Sequence, residues 1–321
     1  MSKIRVGYAS RAIGTAPVWT ACEAGYFRAQ GLEVEPVLYE GSIAVTRGLE
    51  AGDIQLANYA APAAIQANLE RGADLVIVLG AMNRMMQSLM GRPGVTGVEA
   101  LKGGTIGVNE WGEVNHWLVE ALLPRLGLVA GRDVRIVETG RAHGKAWNTK
   151  VPADALILHP PEPFAAVKAG WTVLVDLRDL NVPFQLSCIA GRRDWIAGHR
   201  PAVERYLRGH VEGILRFNAD RDFGLKVARK WGSPVDDDVL ARTWEFASRE
   251  FSRRPFPTAA AVAGILAAMR GKVAGADPAR AADYVDDGFM TALEAGGVLQ
   301  DLQRRHPPAT TDIPRNPETD P

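Results

Sequence analysis

The sequence has little cysteine and lacks the short motifs that hold metals and phosphate-bearing cofactors. Only Cys22 and Cys188 occur in its 321 residues. Because they lie far apart and in no metal spacing, we interpret them as two buried thiols, with a disulfide as the alternative. No Gly-rich phosphate loop or dinucleotide fingerprint is present, and no histidine pair has the spacing of a zinc site. The sequence therefore predicts no metal and no cofactor.

An excess of either charge is also missing. Lys and Arg total 37, and Asp and Glu total 37, so the net charge attracts neither nucleic acid nor an anionic membrane surface. No apolar stretch is long enough to cross a bilayer. These absences argue against nucleic-acid-binding and membrane-spanning classes and favour a small, neutral or weakly charged partner.

The length and composition that are present predict two globular lobes. With 321 residues the chain exceeds a typical domain, and its 47% hydrophobic and 23% charged content is ordinary for a globular protein. Residues 304–321 contain several prolines and almost nothing apolar to bury, so we expect them to form a disordered tail.

Two consecutive helix-to-strand units in residues 25–62 predict an α/β fold. In the first, a turn bracketed by glycines leads into an apolar strand that begins at Leu32. In the second, a helix from Ser42 ends before Gly52 and another strand follows. Strands joined by a helix form a right-handed crossover and run parallel, and ligands bind beyond their carboxyl ends.

The same residues carry a resemblance to a known family. The phrases are Gly25-Tyr26-Phe27, Gly31-Leu32-Glu33-Val34, and Leu49 followed by Ala51-Gly52-Asp53-Ile54. They resemble type 2 periplasmic solute-binding proteins of ABC importers, in the branch that binds nitrate, sulfonates, taurine and thiamine-pyrimidine precursors. The similarity extends from about Ile4 to about Leu302.

This resemblance implies a two-lobed fold. Each lobe is expected to be a mostly parallel sheet flanked by helices, and two crossover strands are expected to join the lobes. The implied ranges are residues 1–84 for the first part of lobe 1, 85–187 for lobe 2 with the crossover strands, and 188–303 for the mainly helical return to lobe 1. The implied partners are a small-molecule ligand and an ABC permease, and the chain is expected to be a monomer.

Ligand-binding residues of lobe 1 are expected in the loops after its strands. The candidates are Arg11, Gly14, Thr15, Tyr39, Ser42, Asn58 and Tyr59. Free backbone N–H groups at the helix start near Gly14 can hold an anion or a polar oxygen. A helix cap with a surface arginine explains the first three equally well, and capping alone explains Ser42.

Lobe 2 and the second crossover strand contribute a second group of candidates. They are Glu110, Trp111, Asn115, His159, Glu162 and Ser187. Carboxylates at the helix start after Asn109 stabilise the helix dipole but repel a sulfonate or nitrate. We therefore expect a neutral, aromatic or cationic ligand, with Trp111 as a stacking plate.

The resemblance implies a solute-binding protein that closes two lobes on a small organic ligand. The alternative is an enzyme on the same fold, of lyase, decarboxylase or desulfinase type, that acts on a small aromatic or heterocyclic substrate. Desulfinase relatives use a cysteine after the first strand, which residues 9–17 lack, whereas a lyase needs only Glu110, Glu113 or His159 as acid or base. A cytosolic sensor domain is a third alternative.

The start of the sequence bears on location. Residues 1–8 lead directly into a strand, without the basic and apolar regions of a secretory signal. As the sequence stands this predicts a cytoplasmic protein. The resemblance implies a periplasmic one if a signal lies upstream.

Overall fold

Ten strands form two five-stranded sheets in a computed structural model that describes residues 2–140 and 151–309. The strands are β1 Ser2–Tyr8, β2 Leu32–Leu38, β3 Leu56–Tyr59, β4 Leu75–Arg84, β5 Ser88–Gly91, β6 Thr105–Val108, β7 Arg135–Glu138, β8 Ala155–Leu158, β9 Thr172–Asp176 and β10 Pro183–Arg192. Short alternating or fully apolar runs such as β4, which is buried over most of its length, suit strands covered by helices on both faces.

Helices cover both sheets. They are α1 Ala16–Glu23, α2 Tyr26–Ala29, α3 Ser42–Ala51, α4 Pro62–Arg71, α5 Val114–Leu122, α6 Glu162–Lys168, α7 Arg193–Gly198, α8 Arg200–Ala219, α9 Arg221–Trp231, α10 Asp237–Glu250, α11 Ala259–Met269, α12 Gly288–Ala295 and α13 Val298–Arg305. Short 3-10 turns lie at Ile13–Thr15, Val98–Leu101, Leu123–Leu126, Leu177–Leu180 and Pro278–Tyr284. Among the helices of the described ranges, none is long and apolar enough to span a bilayer.

The two sheets have the same topology. Their strand orders are β2-β1-β3-β10-β4 and β7-β6-β8-β5-β9. In the first sheet β10 runs antiparallel to both of its neighbours, and in the second sheet β5 does so. Each antiparallel strand follows directly from a strand of the other sheet, so each lobe receives one strand from its partner. The predicted two-lobed α/β fold with two crossovers is confirmed.

The two crossovers run side by side. The Met85 N–H donates to the Val182 carbonyl at 2.9 Å, and the Leu177 N–H donates to the Gln87 carbonyl at 2.9 Å. We call residues 2–84 and 183–309 the first lobe, and the described residues between β5 and β9 the second lobe.

The turn glycines show why this sequence changes from helix to strand where it does. Gly31 and Gly52 have φ values of 71° and 77°, a region that side-chain-bearing residues rarely adopt. Each follows a helix and sends the chain into β2 or β3. Phe27 is buried and stacks on Tyr206 of α8 with ring centroids 4.9 Å apart.

Two of the expected segment boundaries fall inside secondary-structure elements. Strand β10 begins at Pro183, which pairs with Arg84, so residues 183–187, which were expected among the crossover strands, are part of the first sheet. Helix α13 continues to Arg305, and Arg253 donates to the His306 carbonyl at 2.7 Å. Residues 304 and 305 are therefore helical. The rest of the predicted tail, from 310 onward, lies outside the described residues.

Candidate functional site

A cleft of about 580 Å³ lies between the lobes, at the carboxyl ends of the parallel strands of both sheets. This is the edge at which α/β folds bind ligands. Among the residues predicted from the sequence, those that line it are Arg11, Gly14, Thr15, Tyr39, Ser42, Asn58, Tyr59, Asn115, His159, Glu162 and Ser187. The structure brings these residues together; their contact with a ligand stays a prediction.

Glu110 and Trp111 are not among the lining residues. Trp111 is 49% exposed and packs edge-on against the ring of His116, with centroids 4.7 Å apart. Its backbone N–H donates to Glu138. The chain turns at Gly112, where φ is 85°, so Trp111 faces outward while Glu113 faces into the cleft. The expected stacking plate is therefore absent from the described cleft wall.

Asn58 ties three segments of the first lobe together at the cleft. Its amide Nδ2 donates to Ser187 Oγ at 3.2 Å and to the Cys188 carbonyl at 3.2 Å. Ser187 Oγ in turn donates to the Gly14 carbonyl at 3.0 Å. Asn58 Oδ1 is buried and has no hydrogen-bond partner among the described residues. Buried amide oxygens usually accept a hydrogen bond from a protein group or an ordered water.

The two tyrosines of the cleft wall are mainly packing residues. Tyr59 is 4% exposed, and its hydroxyl faces Thr46 of α3; burial raises the pKa of this hydroxyl. The ring of Tyr39 lies over Gly48, where an added Cβ would be 2.6 Å from the Tyr39 hydroxyl. Both rings therefore hold α3 against the sheet and show the cleft only part of their surface.

The loop after β1 lines the cleft with backbone and small side chains. Thr15 is buried, and its hydroxyl faces the Ser10 carbonyl at 3.4 Å. Arg11 is exposed and donates to the Trp231 carbonyl at 3.3 Å. Nothing lies within 4 Å of the point where a Gly14 Cβ would be, so the cleft has open space beside this loop.

The N-terminus of α3 is bound by a carboxylate from the other lobe. The N–H groups of Ser42 and Ile43 donate to Glu113 Oε2 and Oε1, each at 3.1 Å. Gly41 precedes the helix and supplies no side-chain cap. The idea that Ser42 caps this helix is therefore wrong, because its side chain makes no capping bond and Glu113 takes that role.

His159 is held as a neutral ring by hydrogen bonds at both nitrogens. Gln87 Oε1 accepts from the Met86 N–H at 3.1 Å, so the Gln87 amide nitrogen must be the donor to His159 Nδ1, also at 3.1 Å. His159 Nε2–H then donates to Asn115 Oδ1 at 2.6 Å. Burial lowers the pKa of His159 to about 4. The ring is therefore an oriented neutral group at pH 7.

Glu162 is a titratable carboxyl three residues after His159. It begins α6, lines the cleft and is partly exposed to it. Burial raises its pKa to about 7, although the His159 backbone N–H opposes that shift. Near neutral pH, a charged group that binds beside Glu162 therefore shifts the balance between its protonated and ionised forms.

The lobes contact each other on both sides of the cleft. On one side, Trp117 Nε1 donates to Gln66 Oε1 at 3.3 Å, and Lys272 lies 3.3 Å from Glu120. On the other, Phe164 of the second lobe is fully buried and packs against Phe246 of α10, with centroids 6.1 Å apart. The structure thus has the lobes closed over the cleft.

Two residues that line the cleft, Gln87 and Glu113, were not among the ligand-binding residues predicted from the sequence. Gln87 is 2% exposed and joins the crossover to His159; its signal was a polar side chain inside an apolar crossover. Glu113 was considered only as a possible acid or base and a dipole-stabilising residue of its own helix. Sequence gave no sign that it contacts α3, which lies in the other lobe.

Neither cysteine has the properties of a nucleophile. Cys188 is buried, and Cys22 is partly buried; both are free thiols, so the disulfide alternative is wrong. Burial raises the pKa of Cys22 to about 12 and also raises that of Cys188. Neither lines the cleft. Among the described residues, no group of three or more His, Cys, Asp or Glu side chains is placed to hold a metal.

Comparisons with known proteins agree with this architecture. A family model described as NMT1/THI5 like matches residues 13–220. Among curated protein sequences, none matches the chain.

Several solved structures share the fold. The periplasmic nitrate-binding protein NrtA from Synechocystis PCC 6803 has a TM-score of 0.77 at 14% identity, over 94% of this chain and 91% of that one. The alkanesulfonate-binding protein SsuA from Xanthomonas axonopodis pv. citri, bound to MOPS, has a TM-score of 0.68 at 19% identity, over 83% and 91%. A DszB variant in complex with biphenyl-2-sulfinic acid has a TM-score of 0.65 at 15% identity, over 95% and 100%. The predicted resemblance to nitrate- and sulfonate-binding periplasmic proteins is thereby confirmed at the level of fold.

Proposed function

The chain belongs to the NMT1/THI5-like family, and from that premise we propose that it is a solute-binding protein, the substrate-binding component of an ABC transporter. Two lobes on paired crossovers close on one small organic molecule, and the closed shape is what a permease recognises. We place its action in the periplasm, by analogy with the nitrate- and sulfonate-binding proteins that share its fold.

The observation that carries the proposal is the cleft between the two lobes. Its volume of about 580 Å³ lies in the range that small organic ligands need. Polar groups from both lobes converge on it, among them Asn58 of the first lobe and Asn115 of the second. A ligand that bridges such groups is bound most tightly when the lobes are closed, so binding and closure are coupled.

Charge in the cleft favours a neutral or cationic ligand. Among the described lining residues the carboxyl groups belong to Glu40, Glu113 and Glu162, and the one guanidinium belongs to Arg11. A cation beside Glu162 stabilises its carboxylate form and lowers its pKa again. Affinity for a cationic ligand should therefore rise as the pH increases through about 7.

Calorimetry and thermal-shift titrations test the proposal directly. The screen covers pyrimidines, amines, amino acids, aromatic acids and sulfonates, and each hit is re-examined for chemical change. Glu162→Gln should alter the affinity and its pH dependence, whereas Glu99→Gln, on a side chain that is 82% exposed in the second lobe, should alter neither. Tight binding without turnover is the expected result.

One observation favours the enzyme alternative, a lyase or decarboxylase on this fold. Glu162 combines a position in the cleft with a pKa of about 7, which suits a general acid or base near neutral pH. Two observations oppose a desulfinase-type or histidine-based mechanism: no cysteine lines the described cleft wall, and both nitrogens of His159 are already bonded. Consumption of a hit by the wild type, lost in Glu162→Gln while binding persists, would replace the binding proposal with this one.

A further inference from the structure

The contact between Glu113 and α3 has the form of a bound anion. Two successive backbone N–H groups at a helix N-terminus donate to the two oxygens of one carboxylate, each at 3.1 Å. Glu113 is 4% exposed and Ser42 is 3% exposed, so the contact is shielded from water. Both residues line the cleft.

Physical chemistry makes this terminus an anion receptor. Helix α3 has ten residues, and the free N–H groups of its first turn carry partial positive charge. Such a terminus binds phosphate, sulfate or carboxylate groups readily. In this chain the anion is a carboxylate that comes from the opposite lobe.

We propose that Glu113 is the specificity-determining residue of the cleft, because its carboxylate occupies the anion-accepting end of α3 and excludes ligands with a sulfonate, carboxylate or similar oxyanion group from that end. This inference rests on the proposed binding function and specifies the ligand class of the same site. A ligand oxyanion would have to displace a buried carboxylate that is already doubly hydrogen-bonded and would meet its negative charge.

Shortening Glu113 distinguishes a carboxylate that fills an anion site from one that only caps the helix, because only in the first case should an external anion bind at the start of α3. If Glu113 is only a structural cap, its removal lets the first turn of α3 fray, so the N–H groups of Ser42 and Ile43 are no longer held toward the cleft. If Glu113 fills an anion site, its removal leaves the N–H groups of Ser42 and Ile43 directed into the cleft, and an external anion should bind to them.

The test uses the full-length chain, with ethanesulfonate, nitrate and acetate as probes in low-chloride buffer. Glu113→Ala should bind ethanesulfonate at least about tenfold more tightly than the wild type, since charge-assisted hydrogen bonds are gained and a charge repulsion is lost. Glu99→Ala, which removes the same charge from an exposed position of the same lobe, should bind like the wild type. Acetate, which supplies the missing carboxylate, should compete with ethanesulfonate in Glu113→Ala.

The backbone amide signals of Ser42 and Ile43 report where the anion binds. In Glu113→Ala, with selective nitrogen-15 labelling, both signals should shift on addition of ethanesulfonate, and in the wild type neither should. Should the alanine variant not fold, Glu113→Gln replaces it, because a glutamine oxygen accepts from one of the two N–H groups and leaves the other available.

Three results would overturn the inference. They are equal ethanesulfonate affinity in wild type and variant, gained affinity without a shift at Ser42 and Ile43, and a shift at those two amides already in the wild type. None depends on knowledge of the natural ligand, so the inference can fail while the ligand screen succeeds, and the screen can fail while these amides respond as expected.

Discussion

The two lobes of this protein share a topology but differ in the chemistry that they present to the cleft. After their third strands, the first lobe continues through two alanines into α4, whereas the second lobe continues from His159 into α6 with Glu162. Both connections line the cleft, and both helices have proline in the first turn. The same backbone path therefore carries an apolar wall in one lobe and a polar, titratable wall in the other.

The difference shows which properties follow from the fold and which from individual residues. The strand order and the position of the cleft are the same for any sequence that forms this pair of sheets. The first lobe offers backbone groups at the start of α3 and beside Gly14, together with the Asn58 amide. The second lobe offers Glu113, which binds the start of α3, and the side chains of Asn115 and Glu162. His159 and Glu162, whose pKa values are shifted, also belong to the second lobe. The following changes test how this lobe is held against the first and how its cleft wall responds to pH.

The largest expected effect comes from the apolar contact that the second lobe makes on the first. Phe164 is fully buried, and Arg242 of α10 lies over its ring at 4.7 Å. Phe164→Ala removes this packing and should lower the free energy of unfolding, measured in urea, by about 3–5 kcal/mol. It should also raise the radius of gyration of the ligand-free protein, because the lobes lose a clamp.

Phe217→Ala is the matched control. Phe217 is as deeply buried as Phe164, but its ring contacts, Trp244 and Phe251, lie within the first lobe. The expected loss of stability is similar, whereas the radius of gyration should stay that of the wild type. An unchanged radius in Phe164→Ala would contradict the assignment of this contact to lobe closure.

An intermediate effect is expected for the pH dependence that His159 supplies. Its pKa is about 4 in the folded protein and 6.5 when unperturbed, so its contribution is fully present above pH 6.5 and is lost as the pH falls toward 4. Between pH 8 and pH 5 the loss is about 2 kcal/mol. His159→Gln should remove this part of the pH dependence in urea unfolding, and an unchanged pH profile would show that His159 titrates normally.

Glu162 should contribute the opposite slope. Its pKa is raised from 4.5 to about 7, so its contribution is fully present below pH 4.5 and is lost as the pH rises through about 7. Across pH 5 to 8 this also amounts to about 2 kcal/mol, and the two residues should nearly cancel in the wild type. Glu162→Gln should therefore make the protein lose stability more steeply on acidification. A profile that Glu162→Gln leaves unchanged would contradict the raised pKa.

Local patterns were sufficient for individual helices and strands. Helix α3 and its stop at Gly52 follow from apolar spacing and a glycine suited to positive φ, and the apolar run at β4 indicated a strand buried on both faces. Such signals lie within about ten residues of each other, and the family resemblance fixed how the units join. The segment before α12 shows the limit, because Pro278–Tyr284 forms a 3-10 turn and the α-helix begins only at Gly288.

The site was predictable only to the extent that strand ends converge on one edge. That rule brought Asn58, Asn115 and His159 together. It could not decide the direction of Trp111, which depends on one left-handed backbone at Gly112. Nor could it reveal that Glu113 binds a helix about seventy residues earlier in the chain, since contacts between lobes leave no periodic trace in either segment.

The smallest effect is expected from the ion pair that spans the lobes beside the cleft. Lys272 of the first lobe lies 3.3 Å from Glu120 of the second, but its side chain is 45% exposed. An exposed lysine is well hydrated and loses rotamer freedom when it is held, so the pair contributes little to stability.

Lys272→Met should change the free energy of unfolding by about 0.5 kcal/mol or less in low salt, and by still less in high salt, where the attraction is screened. A double-mutant cycle with Glu120→Gln isolates the pair. A coupling energy several times larger would mean that the contact between the lobes depends on this ion pair as well as on Phe164.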